Sequence, residues 1–177
     1  MSNNEVTAQR MDVLATGRYR LDPGRSEISF RTRHLFGLAA VSGTMQISSG
    51  EILVDAPGPQ ASVTATISAL SFSSGNDRRD GDVRSAKFLD VEEYPEITFR
   101  AGTLDREEGR WKLTGQLTVR AVTKPVTLAI ESVQADAEGL RARATTRIDR
   151  YAFGMTAAKG MAGRFLDLDL HVIAEPQ

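Results

Sequence analysis

Apolar and polar residues alternate along most of this chain, and the alternation predicts strands. In EISFRTRH, Ile28, Phe30, Thr32 and His34 share one face, while Ser29, Arg31 and Arg33 share the other. Period two with one apolar face is the mark of a half-buried strand. The next run carries Val41, Gly43, Met45 and Ile47 on one face, then changes phase at Ser49-Gly50 to Ile52 and Val54, as a bulge would make it do. Val63, Ala65, Ile67 and Ala69 follow, then Ile97 and Phe99. RWKLTGQLTVR alternates most clearly, with Trp111, Leu113, Gly115, Leu117 and Val119 together. Val126, Leu128 and Ile130, then Leu140, Ala142, Ala144, Thr146 and Ile148, and last Leu166, Leu168, Leu170 and Val172 complete the inward set. Turns fall at Pro23-Gly24, Gly37, Pro57-Gly58-Pro59 and Glu138-Gly139.

Short turns between singly apolar strands predict an all-β, wholly antiparallel fold. Closure removes edge strands, which favours a barrel of eight strands over a sandwich. The barrel is one domain over residues 17–177. Residues 1–16 read as a flexible arm, with a short helix packed on the barrel as the alternative.

From Phe72 to Phe99 the alternation stops and charges crowd together. A break of this length between strands is uncommon in a compact domain. Ser73, Ser74 and Asn76 are helix caps in waiting, and Asp82 follows the interruption at Gly81. The pattern predicts two short helical turns forming a lid around residues 76–89. Its run of Asp77, Arg78, Arg79, Asp80, Asp82 and Arg84 is either a knot of ion pairs or an anion site.

Composition narrows the function. The net charge is −1 over 177 residues, so no basic excess exists to meet nucleic acid. The chain has no cysteine, which excludes disulfides, thiolate metal sites and thiol nucleophiles. No apolar run approaches the roughly 20 residues that span a bilayer, so stable membrane insertion is not expected. The N-terminal stretch lacks an apolar signal core, and the chain reads as cytoplasmic. No nucleophile elbow, phosphate loop or dinucleotide fingerprint is present, and neither a cofactor nor a metal is implied.

Many inward residues are small: Gly43, Ala65, Ala69, Gly115, Ala142 and Ala144. An eight-stranded barrel is either filled by side chains or open to a small ligand. Both outcomes fit the pattern. An open interior would be walled by Phe30, Val41, Met45, Ile67, Phe99, Leu117, Leu128 and Leu168. Met45, Met155 and Met161 would adapt to a flexible apolar guest. His34 and Arg84 are candidate head-group contacts, although a histidine satisfied by a backbone carbonyl fits His34 equally well. Asp167, Asp169 and His171 face outward opposite Arg141, Arg143 and Arg147, which makes a cross-strand charge ladder rather than a carboxylate–histidine site.

Four stretches resemble the YceI-like family. YRLDPGRSEISFRTRH resembles its opening. SSGNDRRDGDVRSAKFLDVEEYPEITF matches its most specific run at Asn76, Arg79, Asp80, Ser85, Phe88, Asp90, Tyr94, Pro95, Ile97 and Phe99. LTGQLTVRAVTKPVTL and Arg150 to Met155 follow the same pattern. Asp82 stands where the family usually has His, Leu89 where it has a second Phe, and Ala121 where it often has Gly. The resemblance implies a lipocalin-like barrel with an internal tunnel. It also implies a long-chain isoprenoid or isoprenoid-quinone guest and a homodimer. The leading expectation is therefore a non-enzymatic carrier. The alternatives are an enzyme acting on an isoprenoid in the same cavity, and a stress-linked interaction protein with a filled barrel.

Overall fold

The computed structural model describes residues 16–55 and 60–177. The arm expected over residues 1–16 lies outside these apart from Thr16, as does the Pro57-Gly58-Pro59 turn. The strands are β1 (Gly17–Leu21), β2 (Glu27–His34), β3 (Ala39–Asp55), β4 (Gln60–Ser73), β5 (Glu96–Glu107), β6 (Arg110–Val119), β7 (Val122–Asp136), β8 (Gly139–Asp149) and β9 (Phe165–Pro176). A helix, α1 (Asp77–Arg84), follows β4, and a short 3₁₀ turn, Arg150–Phe153, follows β8. No helix among the described residues is long and apolar enough to cross a membrane.

Nine strands make eight staves. Both β1 and β2 pair with β3 and with β9: Tyr19 lies opposite Ile52 and Pro176, and Ile28 opposite Met45 and Leu170. They are one stave, broken at the Pro23-Gly24 turn. All other neighbours are antiparallel and consecutive in the chain, and β3–β4 pairing closes the barrel. Closure leaves no long edge to template aggregation.

The inward phases agree with the alternation. The phase change near Ser49 is a register shift between β3 and β4. A second shift, unforeseen, lies near the end of β4. There Ser71 Oγ accepts from the Gln46 N–H (2.8 Å) and donates to the Ser68 carbonyl (2.6 Å), so the side chain fills the broken ladder. Leu70 faces solvent as the alternation has it, and the bulge turns Phe72 inward, where its ring stacks on Phe30 at 4.9 Å.

The β6–β7 hairpin turns through Arg120 and Ala121, both left-handed (φ 51° and 61°). A Cβ in that conformation costs about 1–2 kcal/mol, part of which a glycine recovers. Ala121→Gly should therefore stabilise the chain by about 0.5–1 kcal/mol, read as a higher urea midpoint at unchanged slope.

The irregular stretch folds as one helix and not two. Asn76 caps α1, its side chain accepting from the Arg79 N–H at 3.0 Å. Gly81 sits within the helix, and Asp82 caps nothing: its carbonyl instead accepts from Ser85 N and Oγ, closing the C-terminus. A mid-helix glycine costs about 1 kcal/mol, which anchoring to β4 offsets. The buried Asp80 carboxylate accepts from Ser74 N (3.0 Å) and Ser74 Oγ (2.5 Å). Arg79 donates to Ser74 Oγ and its carbonyl, and Arg84 donates to the Phe72 carbonyl at 2.6 Å. The expected knot of ion pairs is a hydrogen-bonded clasp.

Candidate functional site

Two cavities occupy the barrel. The inner one, about 260 Å³, is lined by inward residues from every stave, including Ile67, Phe99, Leu117, Leu128 and Leu168. Only Thr146 and Arg150 bring polar atoms to its wall, and the Thr146 hydroxyl already donates to the Thr127 carbonyl at 2.8 Å. The second cavity, about 300 Å³, lies at the barrel end beneath α1. It is lined by Phe30, Thr32, His34, Val41, Asp82, Phe88, Met161 and their neighbours. Leu89, Arg150, Met155 and Leu166 line both. These four side chains form the neck between an inner chamber and a mouth.

The alanines and glycines divide in their roles. Ala65, Ala142 and Ala144 line the inner chamber, so their small size does leave space. Gly43 and Gly115 do not. A Cβ on Gly43 would overlap the Ser73 carbonyl and the Phe30 ring, and one on Gly115 would lie 2.5 Å from the Arg100 carbonyl. Close approach of neighbouring strands, not an open interior, requires glycine there. Ala69 is buried but lines neither cavity.

Ten of the sequence-derived candidates come together here. Ile67, Phe99, Leu117, Leu128 and Leu168 line the chamber; Phe30, His34, Val41 and Met161 line the mouth; Met155 lines both. Met45 and Arg84 do not. Met45 packs half-buried against the core. Arg84 is taken up by the Phe72 carbonyl, and its buried Nε has no hydrogen-bond partner among the described residues. Asp82 and Leu89, the two residues that depart from the family pattern, both line the mouth.

Arg150 was missed as a site residue. It is only 5% exposed at the neck. Its Nε donates to the Gly163 carbonyl (2.7 Å), and its two terminal nitrogens donate to the carbonyls of Met155 (2.5 Å) and Ala162 (3.1 Å). The Phe88 and Tyr151 rings lie within 5.3 and 4.9 Å of its guanidinium. Burial pushes its pKa below the usual arginine value, opposed by Tyr151 and Asp149, yet a guanidinium stays charged throughout the working pH range. The signal existed in the sequence. Leu140, Ala142, Ala144, Thr146 and Ile148 set the inward phase of β8, and Arg150 is its next member.

A larger groove, about 1220 Å³, lies on the outside of the barrel. Its walls carry Arg31, Lys112, Lys124, Arg147, Asp149, Asp167 and Asp169. Most of the predicted ladder runs along it: Arg147 pairs with Asp167 (2.7 Å) and Arg143 with Asp169 (2.6 Å), and His171 Nε2 lies 3.3 Å from Asp169, but Arg141, opposite Ile173, pairs with Glu138 instead (3.6 Å). Solvated ion pairs suit water better than an apolar guest. Hydrogen bonds from Arg164, Arg147 and Arg143 hold the carboxyls of Asp149, Asp167 and Asp169 below the usual carboxylate range, with burial opposing. A depressed carboxyl adds stability above its unfolded pKa and loses it as pH falls through the folded one. The melting temperature should therefore drop on acidification below the ordinary carboxylate range. An Asp149→Asn/Asp167→Asn/Asp169→Asn chain should lose less over the same interval, and added salt should shrink the difference.

Among the described residues, no three His, Cys, Asp or Glu side chains converge as metal ligands. His34 and Asp82 share the mouth but are not hydrogen-bonded to each other.

A family model for the YceI-like domain matches residues 19–174. Protein YceI of Salmonella arizonae is 37% identical over 102 residues, which cover 57% of this chain and 53% of that protein. The chain thus spans about half the length of the curated relatives it matches. Among solved structures, BcnA of Burkholderia cenocepacia superposes with a TM-score of 0.76 at 19% identity, over 86% of this chain and 98% of that one. A polyisoprenoid-binding domain from Saccharophagus degradans gives a TM-score of 0.65 at 14% identity, over 92% of this chain and all of that one. At such identities the superpositions establish the shared barrel.

Proposed function

The chain belongs to the YceI-like domain family, and from that premise we propose that its barrel binds and carries a long-chain apolar amphiphile of the polyisoprenoid or isoprenoid-quinone type, without catalysis. One observation carries the reading: a chamber of about 260 Å³ whose wall is apolar except at Thr146 and Arg150. Water gains little there, because a buried water needs two to four polar partners. An apolar chain needs no polar partner there and gains about 25 cal/mol per Å² removed from water. Chamber and mouth together fall within the usual range of small-molecule sites. Met155 and Leu89 at the neck are flexible enough to move aside for a threaded chain. The polyisoprenoid-binding domain of the same fold supports the ligand class. Cytoplasmic residence and a homodimer belong to this proposal as well.

Solvent extraction of the purified protein followed by mass spectrometry tests it. The expected result is a long-chain isoprenoid near one per chain. No extracted lipid, together with no uptake of added isoprenoid quinone, overturns it. His34 and Asp82 give the enzymatic alternative its one foothold, since acid–base work needs such a pair. Turnover of an isoprenoid that His34→Ala abolishes while lipid uptake persists would decide for catalysis.

A further inference from the structure

The β2–β3 hairpin ends in an apolar tip. Phe36 is 80% exposed and Leu38 85%, with Leu35 and Met161 partly exposed beside them. Soluble proteins rarely gather large apolar side chains at one exposed point without a partner for them. The backbone is committed to showing them. Leu35, Phe36 and Gly37 are all left-handed (φ 51°, 56° and 86°), a strain that non-glycine residues bear where the surroundings enforce it. The tip is tied to the loop after the 3₁₀ turn by Leu35 N–H to the Met161 carbonyl (2.9 Å) and Phe36 N–H to the Gly160 carbonyl (2.6 Å).

Two observations say what covers it. The first is charge. From Ile28 to Gly50, and again from Arg150 to Leu166, there is no aspartate or glutamate, in a chain whose net charge is −1. Arg33 and Lys159 are exposed on these two segments, and Arg33 folds onto the tip through the Gly37 carbonyl at 3.2 Å. Nearby acids do not outweigh these cations: Asp149 pairs with Arg164, and the three aspartates of α1, Asp82 at the mouth among them, are balanced in number by its three arginines. The second is position. Met161 is half-exposed and also lines the mouth cavity, and Leu35 is bonded to it through the backbone, so the tip stands beside the opening.

We infer that this tip docks the barrel reversibly on an anionic lipid bilayer, with Phe36 and Leu38 in the headgroup–acyl boundary, Arg33 and Lys159 against lipid phosphates, and the mouth facing the membrane. An exposed apolar tip with cations on its own two segments is the chemistry of interfacial binding. The docking builds on the carrier reading by giving an insoluble guest a route into the mouth that avoids bulk water.

The test is flotation of the full chain with phosphatidylglycerol/phosphatidylcholine vesicles and with pure phosphatidylcholine vesicles. Binding to the mixed vesicles is expected, falling with added salt. Phe36→Asn/Leu38→Ser should weaken it about tenfold or more, given the apolar area withdrawn. Arg33→Glu/Lys159→Glu should abolish the preference for the anionic vesicles. All four positions are exposed, and matching melting temperatures would verify folding. An Ala144→Leu chain, with its chamber obstructed, should still float, so failure of docking and failure of carriage are read separately. No flotation with anionic vesicles overturns the inference, as does unchanged flotation of the tip variant. Self-association by sedimentation velocity that the tip variant abolishes, with no vesicle binding, would give the surface to a second copy.

Discussion

Arg150→Met should lower the stability of the protein by about 3–5 kcal/mol, the largest effect expected of any single substitution here. The side chain is 5% exposed and donates to the carbonyls of Met155, Ala162 and Gly163. Methionine fills similar volume but leaves those carbonyls unmet, at about 1–3 kcal/mol for each that stays buried. The segment from Met155 to Gly163 would lose its anchor. The hairpin bonds to Gly160 and Met161 would remain. Urea unfolding measures the loss directly. Arg150→Lys should fall between, because one ammonium cannot reproduce a planar fork reaching three carbonyls. A loss below about 1 kcal/mol would mean that the hairpin bonds alone hold the loop.

Ala144→Leu should raise stability and abolish ligand uptake together. Residual cavities cost about 24 cal/mol per Å³ in large-to-small series. At that rate an empty chamber of 260 Å³ represents about 6 kcal/mol, comparable to the whole stability of many domains. Ala144 is buried in its wall. Three added carbons at about 0.8 kcal/mol each, less some misfit, should return about 1–2 kcal/mol. The same carbons occupy the path of a threaded chain. A higher melting temperature with no extractable lipid is the expected pair of results. Higher stability with full lipid loading would place the guest in the mouth alone. A destabilised variant would show that the strands around Ala144 have no room to give.

These two residues show how far the pattern reaches. Ala144 lies in the inward phase of β8 and Arg150 extends that phase one step past the strand's end, as alternation alone assigns. What alternation does not supply is the distance to the opposite wall. Ala144 and Gly115 are both small and inward, yet one borders empty space and the other lies against the Arg100 carbonyl. The sequence carried the clasp only in part. Asn76 caps α1 as its residue type predicts. The passage of the helix through Gly81 depends on hydrogen bonds to Phe72 on β4 and to Ser74 just past its end, which no local rule contains. Arg84 was a plausible head-group contact until β4 supplied a carbonyl for it. Met45, in the correct phase, packs against the core and reaches neither cavity.

By itself the sequence determined the strands, their inward faces, the turns and the outer charge ladder, because period two, turn residues and cross-strand charge are properties of neighbours along or across one hairpin. It also carried the family pattern and, in Asp82, Leu89 and Ala121, the departures from it. The tertiary structure alone decided that β1 and β2 share a stave, that a chamber and a mouth meet at a neck around Arg150, and that an apolar tip stands beside the opening. Each of these depends on how far apart opposite walls stand when the barrel closes. Closure sums twist, bulges and side-chain volumes over all the staves at once, and no segment of the chain records that sum.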